Sequence, residues 1–330
     1  MRPLILLSAA LALPSLLAAQ STAPQTPAPK PRAGAATQSP KVEAYPPEVP
    51  KPTLEAIRYG QHERHVLDFW KAESNSPTPL VFVIHGGGWR AGSKERVNRF
   101  VDVQALLKAG ISVVAINYRL IQADPALDTS PAVQAPLHDA ARALQFVRSK
   151  AAEWNLDKTR IGAAGGSAGA CSSLWLAFHN DLADPQSQDP VSRESTRLTC
   201  AAVNGPQTTL DPAQMQEWTP NSNYGGHAFG FKTFAEFLAG REQILPLIAE
   251  YSPYALVTSD DPPVHMTFGA PPAVGQPQKD PTHTANFGVK LAEHCTRHGV
   301  RSEVVYPGAT GVQHDTSTAF LIAQLKPASK

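Results

Sequence analysis

Cysteine is scarce in this chain: Cys171, Cys200 and Cys295 are the only three in 330 residues. An odd number at such spacing builds no disulfide framework, and no CxxC pair offers a thiolate metal site. Buried reduced thiols are the favoured reading, with one disulfide plus a free thiol as the alternative. Charge imbalance is lacking too. Twenty-nine Lys and Arg against 28 Asp and Glu leave a net charge of +1. With no basic stripe, nothing provides the electrostatic footprint of a nucleic-acid binder. The densest histidine stretch, "HCTRH" from His294 to His298, lacks the glutamate of a zincin helix, so no metal is assigned. Charged residues make up only 17% against 42% hydrophobic, a balance that suits a packed core and argues against wholesale disorder.

Long apolar runs are also missing. The longest, Leu4 to Leu17, is short for a membrane span. Behind Arg2 and ahead of the small residues Ala18 and Ala19, it reads as a secretory signal over residues 1–19. The expected location is therefore secreted or periplasmic, with no stable membrane anchor. Residues 20–52 are rich in Pro, Ala, Ser and Thr, which predicts a disordered linker. Ordered structure is expected from Thr53, giving one domain over 53–330.

From there apolar runs alternate with helical patterns. "HVLDFW", "LVFVIH", "ISVVAINY", "TRIGAAG", "LTCAAVNG", "PVHMTFG" and "RSEVVYPG" read as strands; "RVNRFVDVQALLKAG", "APLHDAARALQFVRSKAAEW", "AGACSSLWLAFH", "TANFGVKLAEHCTRHG" and "DTSTAFLIAQL" read as helices. This alternation predicts an α/β fold with a mainly parallel sheet between helices. Reactive groups then gather at the carboxyl ends of the strands.

Gly165-Gly166-Ser167-Ala168-Gly169 lies where a predicted strand meets a predicted helix. That G-x-S-x-G context is the one a nucleophile elbow requires. Ser167 would sit in a strained turn, and the N–H of Ala168 would face a developing oxyanion. A second donor must come from an earlier loop. Gly86-Gly87-Gly88, straight after "FVIH", gives up three side chains at a strand end. Bare backbone there lets the N–H groups of Gly86 and Gly87 enter the site. His85 is expected to hold the loop by a hydrogen bond, and Trp89 to pack it.

"HGGGW" followed by "INYRL" and then "GGSAG" resembles the α/β-hydrolase fold, most closely the hormone-sensitive-lipase-like and feruloyl-esterase-like carboxylesterases, over Glu55 to Leu325. The resemblance implies a serine esterase that needs no cofactor, with Ser, acid and His in that chain order. The family places its acid after the penultimate strand. Here Asp280-Pro281 matches, although about ten residues are inserted before it and "FG" stands where the family has "HG". Asp280 is the implied acid. Asp260 and Asp261 precede that strand and so fall at its amino end. The family's histidine follows the last strand, which makes His314 the expected base. The rivals His294 and His298 lie within a helix, and His283 stands too near Asp280 in sequence to be the expected base. The implied chemistry is acyl transfer: Ser167 attacks, His314 moves the proton, Asp280 orients it, and Gly86, Gly87 and Ala168 hold the oxyanion.

Residues 207–250 interrupt the strand–helix rhythm and are expected to form a small lid. Trp218, Tyr224, Phe229, Phe231 and Phe234 would either line a substrate groove or pack the insertion down. The expected partner is a small-molecule or polysaccharide-linked ester. A serine peptidase on the same fold, and a non-catalytic binding protein, are the alternatives.

Overall fold

Leu80, Phe82 and Ile84 of the third strand join one apolar layer while Val81 and Val83 join another. A strand buried on both faces sits at the centre of a sheet with helices on each side. The computed structural model describes residues 44–121 and 131–326. The expected signal peptide and most of the expected linker lie outside them.

Eight strands form one sheet: β1 (Leu54–Arg58), β2 (Val66–Trp70), β3 (Thr78–Ile84), β4 (Ser112–Ile116), β5 (Leu156–Gly166), β6 (Cys200–Asn204), β7 (Val264–Thr267) and β8 (Ser302–Val305). Their spatial order is β1-β2-β4-β3-β5-β6-β7-β8. β2 runs antiparallel to β1 and β4, and every other neighbouring pair is parallel. The helices are α1 (Val103–Lys108), α2 (Gln134–Ser149), α3 (Ala151–Trp154), α4 (Ala168–Phe178), α5 (Pro212–Trp218), α6 (Phe234–Ala239), α7 (Leu245–Tyr251), α8 (Pro253–Leu256), α9 (Ala285–Arg297) and α10 (Ser317–Leu325). Leu106 of α1 and Phe320, Leu321 and Leu325 of α10 cover one face. Leu137 and Leu144 of α2, Leu174 of α4 and Leu291 of α9 cover the other. This is the α/β-hydrolase architecture. All three cysteines are free and buried. No described helix is long and apolar enough to cross a membrane.

Order begins earlier than composition suggested. The Tyr45 hydroxyl donates to Asp68 at 2.6 Å, the Trp70 indole N–H donates to the Pro50 carbonyl at 2.7 Å, and Val49 is buried. An aromatic and an aliphatic among the prolines bury enough to anchor the segment against the sheet.

In the insertion, Phe237 is fully buried, and the rings of Phe229, Phe231 and Phe234 surround it at 5.6–6.1 Å. Trp218 packs tilted against Tyr254 and edge-on against Phe287. The phenylalanines therefore pack the insertion internally, while Trp218 packs it against α8 and α9. Tyr224 instead lies against His227 beside the glycine loop, its ring 4.8 Å away.

Candidate active site

Ser167 joins β5 to α4 at φ 52° and ψ −121°. A non-glycine residue there stores roughly 1–3 kcal/mol of strain. Its N–H donates to Asn204 O at 2.9 Å and its C=O accepts from Cys171 N–H at 2.9 Å. Those bonds hold the turn and set the hydroxyl above the sheet's carboxyl edge.

Gly86 lies directly against this turn. A Cβ on Gly86 would fall 2.5 Å from Gly166 O and 3.3 Å from the Ser167 side chain. Gly87 has φ 111°, and its Cβ would meet Ala91 O at 2.2 Å. The loop thus needs bare backbone for close approach at one position and for its conformation at the next. Among the described residues, no acceptor is hydrogen-bonded to the N–H of Gly86, Gly87 or Ala168. His85 Nδ1–H donates to Gly86 O at 2.7 Å, and its ring stacks on Tyr118 at 4.2 Å. Burial pushes its pKa down to about 3, so it is a neutral structural brace. Trp89 is buried, with its indole N–H on Ser172 Oγ at 3.0 Å. Gly86→Ala is expected to lower kcat/KM toward esters about 10²- to 10³-fold, the loss typical when oxyanion donors are displaced. Steady-state kinetics of the folded variant checks it.

The histidine on Ser167 is His283. Its Nε2 lies 2.9 Å from Ser167 Oγ, and its Nδ1 lies 2.9 Å from Asp280 Oδ2. Asp280 Oδ1 meanwhile accepts from the N–H groups of Thr282 at 3.1 Å and His283 at 3.2 Å. One carboxylate oxygen closes the turn and the other faces the ring, which is how residues three apart form an acid–base pair. Burial alone would raise the Asp280 pKa, but the bonds and field of His283 outweigh it and hold the carboxyl below its ordinary range.

The long loop after β7 supplies the reach. Asn286 receives Ala273 N–H at 2.7 Å and donates to Trp218 O at 2.8 Å and Thr219 Oγ1 at 3.1 Å. Asn221 makes a two-bond clamp with the backbone of Gln278, at 2.9 and 2.8 Å. Gln207 donates to Thr282 O at 2.7 Å. The insertion therefore holds the loop that carries Asp280 and His283.

The expectation for His314 is corrected by this geometry. His314 N–H and Nδ1 both bond the Glu303 carboxylate, at 3.1 and 2.9 Å, and His265 Nε2 donates to His314 O at 2.9 Å. Glu303 and His265 are register partners inside β8 and β7, two residues short of the strands' carboxyl ends. His314 is therefore tied down beside Phe320 of α10, 5.5 Å between rings, instead of standing over Ser167. Asp260 and Asp261 lie before β7, bonded to Thr258. Asp261, its pKa pushed up to about 6 chiefly by burial, braces that turn. Sequence reasoning missed His283; the available signal was the extended loop "APPAVGQPQKDPTHT" itself.

Among the described residues, no group of three or more His, Cys, Asp or Glu is arranged to hold a metal ion.

Residues 67–278 match the model of the family described as BD-FAE. The chain is 29% identical over 152 residues to esterase LipQ of Mycobacterium tuberculosis, covering 44% of this chain and 33% of that protein. It thus spans about a third of that relative's length. Among solved structures it is similar to the acetyl ester-xyloside bifunctional hydrolase of Caldicellulosiruptor lactoaceticus, with TM-score 0.55, 24% identity, and 73% and 77% of the two chains covered. It is also similar to esterase 2 of Thermogutta terrifontis phosphonylated by sarin, with TM-score 0.59, 21% identity, and 85% and 95% covered. The elbow, the glycine loop, the sheet and the family match agree: the chain belongs to the BD-FAE family of α/β-hydrolases.

Proposed function

We propose that this protein is a serine carboxylic-ester hydrolase in which Ser167, His283 and Asp280 form the catalytic triad. The observation that carries the reading is the unbroken chain from Ser167 Oγ through the His283 ring to Asp280, both links 2.9 Å, on a strained strand–helix turn.

The mechanism follows from that geometry. Nδ1–H of His283 donates to ionised Asp280, which leaves Nε2 free to accept the Ser167 hydroxyl proton. Ser167 Oγ attacks the ester carbonyl carbon. The oxyanion forms beside the N–H groups of Ala168, Gly86 and Gly87, and its collapse expels the alcohol, protonated by His283. Water, activated by the same ring, then cleaves the acyl-enzyme. No step needs a cofactor.

The site is open. The side chains of His283 and Asp280 are 40% and 63% exposed. An open rim suits a small acyl group carried on a bulky alcohol, so short-chain esters of small molecules or of plant-polymer saccharides are the proposed substrates. The apolar segment at residues 1–19, read as an export signal, supports a secreted or periplasmic location, where such polymers are met.

The test is hydrolysis of p-nitrophenyl esters from acetate to decanoate, with an organophosphonate to label the nucleophile. Turnover favouring the short acyl chains, and a phosphonyl group mapped to Ser167 by mass spectrometry, are expected. A folded protein that hydrolyses none of these esters would overturn the reading and favour a binding role.

A further inference from the structure

We infer that His227, in the insertion between β6 and β7, is a positioning residue that holds the glycine loop in the shape its oxyanion donors need. The inference rests on the esterase reading above and adds a residue to its machinery.

The glycine loop has little conformational preference of its own. Gly87, Gly88 and Trp89 all have positive φ, at 111°, 62° and 56°. Three consecutive residues in that region must be fixed by outside bonds, and each carbonyl from Gly86 to Trp89 has a separate donor. Gly86 O accepts from the His85 ring at 2.7 Å. Gly87 O accepts from the N–H groups of Arg90 and Ala91, both at 3.0 Å, and Trp89 O from Ile121 N–H at 2.8 Å. Those donors belong to the loop itself or to the chain following β4. Gly88 O is different: it accepts from His227 Nε2 at 3.0 Å, 139 residues away.

That bond fixes the Gly88–Trp89 peptide plane, one residue from Gly87. Loss of the donor frees this plane to rotate, and a loop rich in glycine passes such a rotation to the neighbouring N–H groups. The chemistry of the ring suits the task. Because a carbonyl accepts, Nε2 carries the proton. Burial and the nearby Arg90 push the His227 pKa down to about 4, so the ring stays neutral with Nε2–H in place at working pH. His227 is itself well held. The Tyr224 ring packs edge-on at 4.8 Å and the Trp89 ring lies 5.9 Å away. The adjacent Ala228 O accepts from Val133 N–H at 3.0 Å, ahead of α2. The short 3-10 turn Gly226–Phe229 is thus pinned between the α2 end and the glycine loop. The same insertion that holds the Asp280–His283 loop also sets the oxyanion loop.

The experiment compares His227→Ala, His227→Gln and His227→Leu in the full chain. Readouts are kcat and KM for p-nitrophenyl acetate, Tm, and hydrogen–deuterium exchange over residues 82–94. His227→Ala and His227→Leu are expected to lower kcat about 10- to 100-fold with KM within about threefold, since loop misplacement affects the transition state more than ground-state binding. Exchange over residues 82–94 should rise, with Tm little changed. His227→Gln, whose amide can donate to the same carbonyl, should recover most of kcat and protection. Should the alanine variant fail to fold, the leucine and glutamine pair carries the comparison. A kcat within about threefold of wild type in His227→Leu, or a glutamine variant no better than leucine, overturns the inference. Were the wild type inert toward esters, the esterase reading would fail, while unchanged exchange in the leucine variant would separately sink the clamp.

Discussion

His283→Ala is expected to reduce kcat about 10⁴- to 10⁶-fold, as much as Ser167→Ala, and the double variant is expected to lose no more than either alone. The non-additivity is the informative part. If Nε2 of His283 removes the proton from Ser167, either change disables the same step and only the residual rate from oxyanion binding remains. Asp280→Asn should cost less, about 10²- to 10⁴-fold. Its side chain is 63% exposed, so water can partly replace its stabilisation of the imidazolium. His314→Ala should leave kcat within a few-fold, because its bonds go to Glu303 and His265. Steady-state kinetics of the five variants beside wild type decides among these outcomes.

Lys94→Met is expected to destabilise the fold by about 3–5 kcal/mol, the usual cost of leaving buried charge without its partner. Lys94 Nζ bridges Asp68 Oδ2 at 2.7 Å and Glu95 Oε1 at 2.6 Å, and all three residues are buried. Burial alone would lower the Lys94 pKa, yet the two carboxylates more than offset it and hold it raised. Asp68 also accepts from Ala56 N–H at 2.7 Å and from the Tyr45 hydroxyl at 2.6 Å. The network therefore joins the chain just after the glycine loop to β2, β1 and the N-terminal segment. Methionine fills the volume but strands both carboxylates. Tm should fall by about 10 °C, and adding Asp68→Asn and Glu95→Gln should recover part of the loss. A single variant as stable as wild type would show that the pair contributes nothing net.

Much of this was legible in the sequence because it rests on local requirements. Apolar runs such as that of β3 have one comfortable place, the centre of a sheet. The elbow at Ser167 and the glycines at 86 and 87 are dictated by backbone geometry within a few residues. Asp280 was reached through the resemblance, which implies an acid after the penultimate strand, where the Asp280-Pro281 step stands. His283 was not legible, since its closeness to Asp280 in sequence set it aside. What permits it is tertiary: the bonds of Asn221, Gln207 and Asn286 that shape the long loop, and the split use of the two Asp280 oxygens. The fate of His314 likewise depends on Glu303, a charged residue just before the two valines that end β8, whose partner could be known only once the next loop was placed. Tyr45 and Val49 were hidden by the prolines around them; composition averaged away the two side chains that anchor the segment.

The role of His283 as the base on Ser167 is tested most directly by the rate constant for phosphonylation of Ser167 in His283→Ala and His314→Ala, measured beside wild type. Phosphonylation needs the activated serine but neither leaving-alcohol protonation nor deacylation, so it isolates the first proton transfer. A fall of about 10²- to 10⁴-fold is expected in His283→Ala, the range a general base contributes, with His314→Ala close to wild type. The reverse pattern, an unimpaired His283→Ala and a crippled His314→Ala, would contradict it.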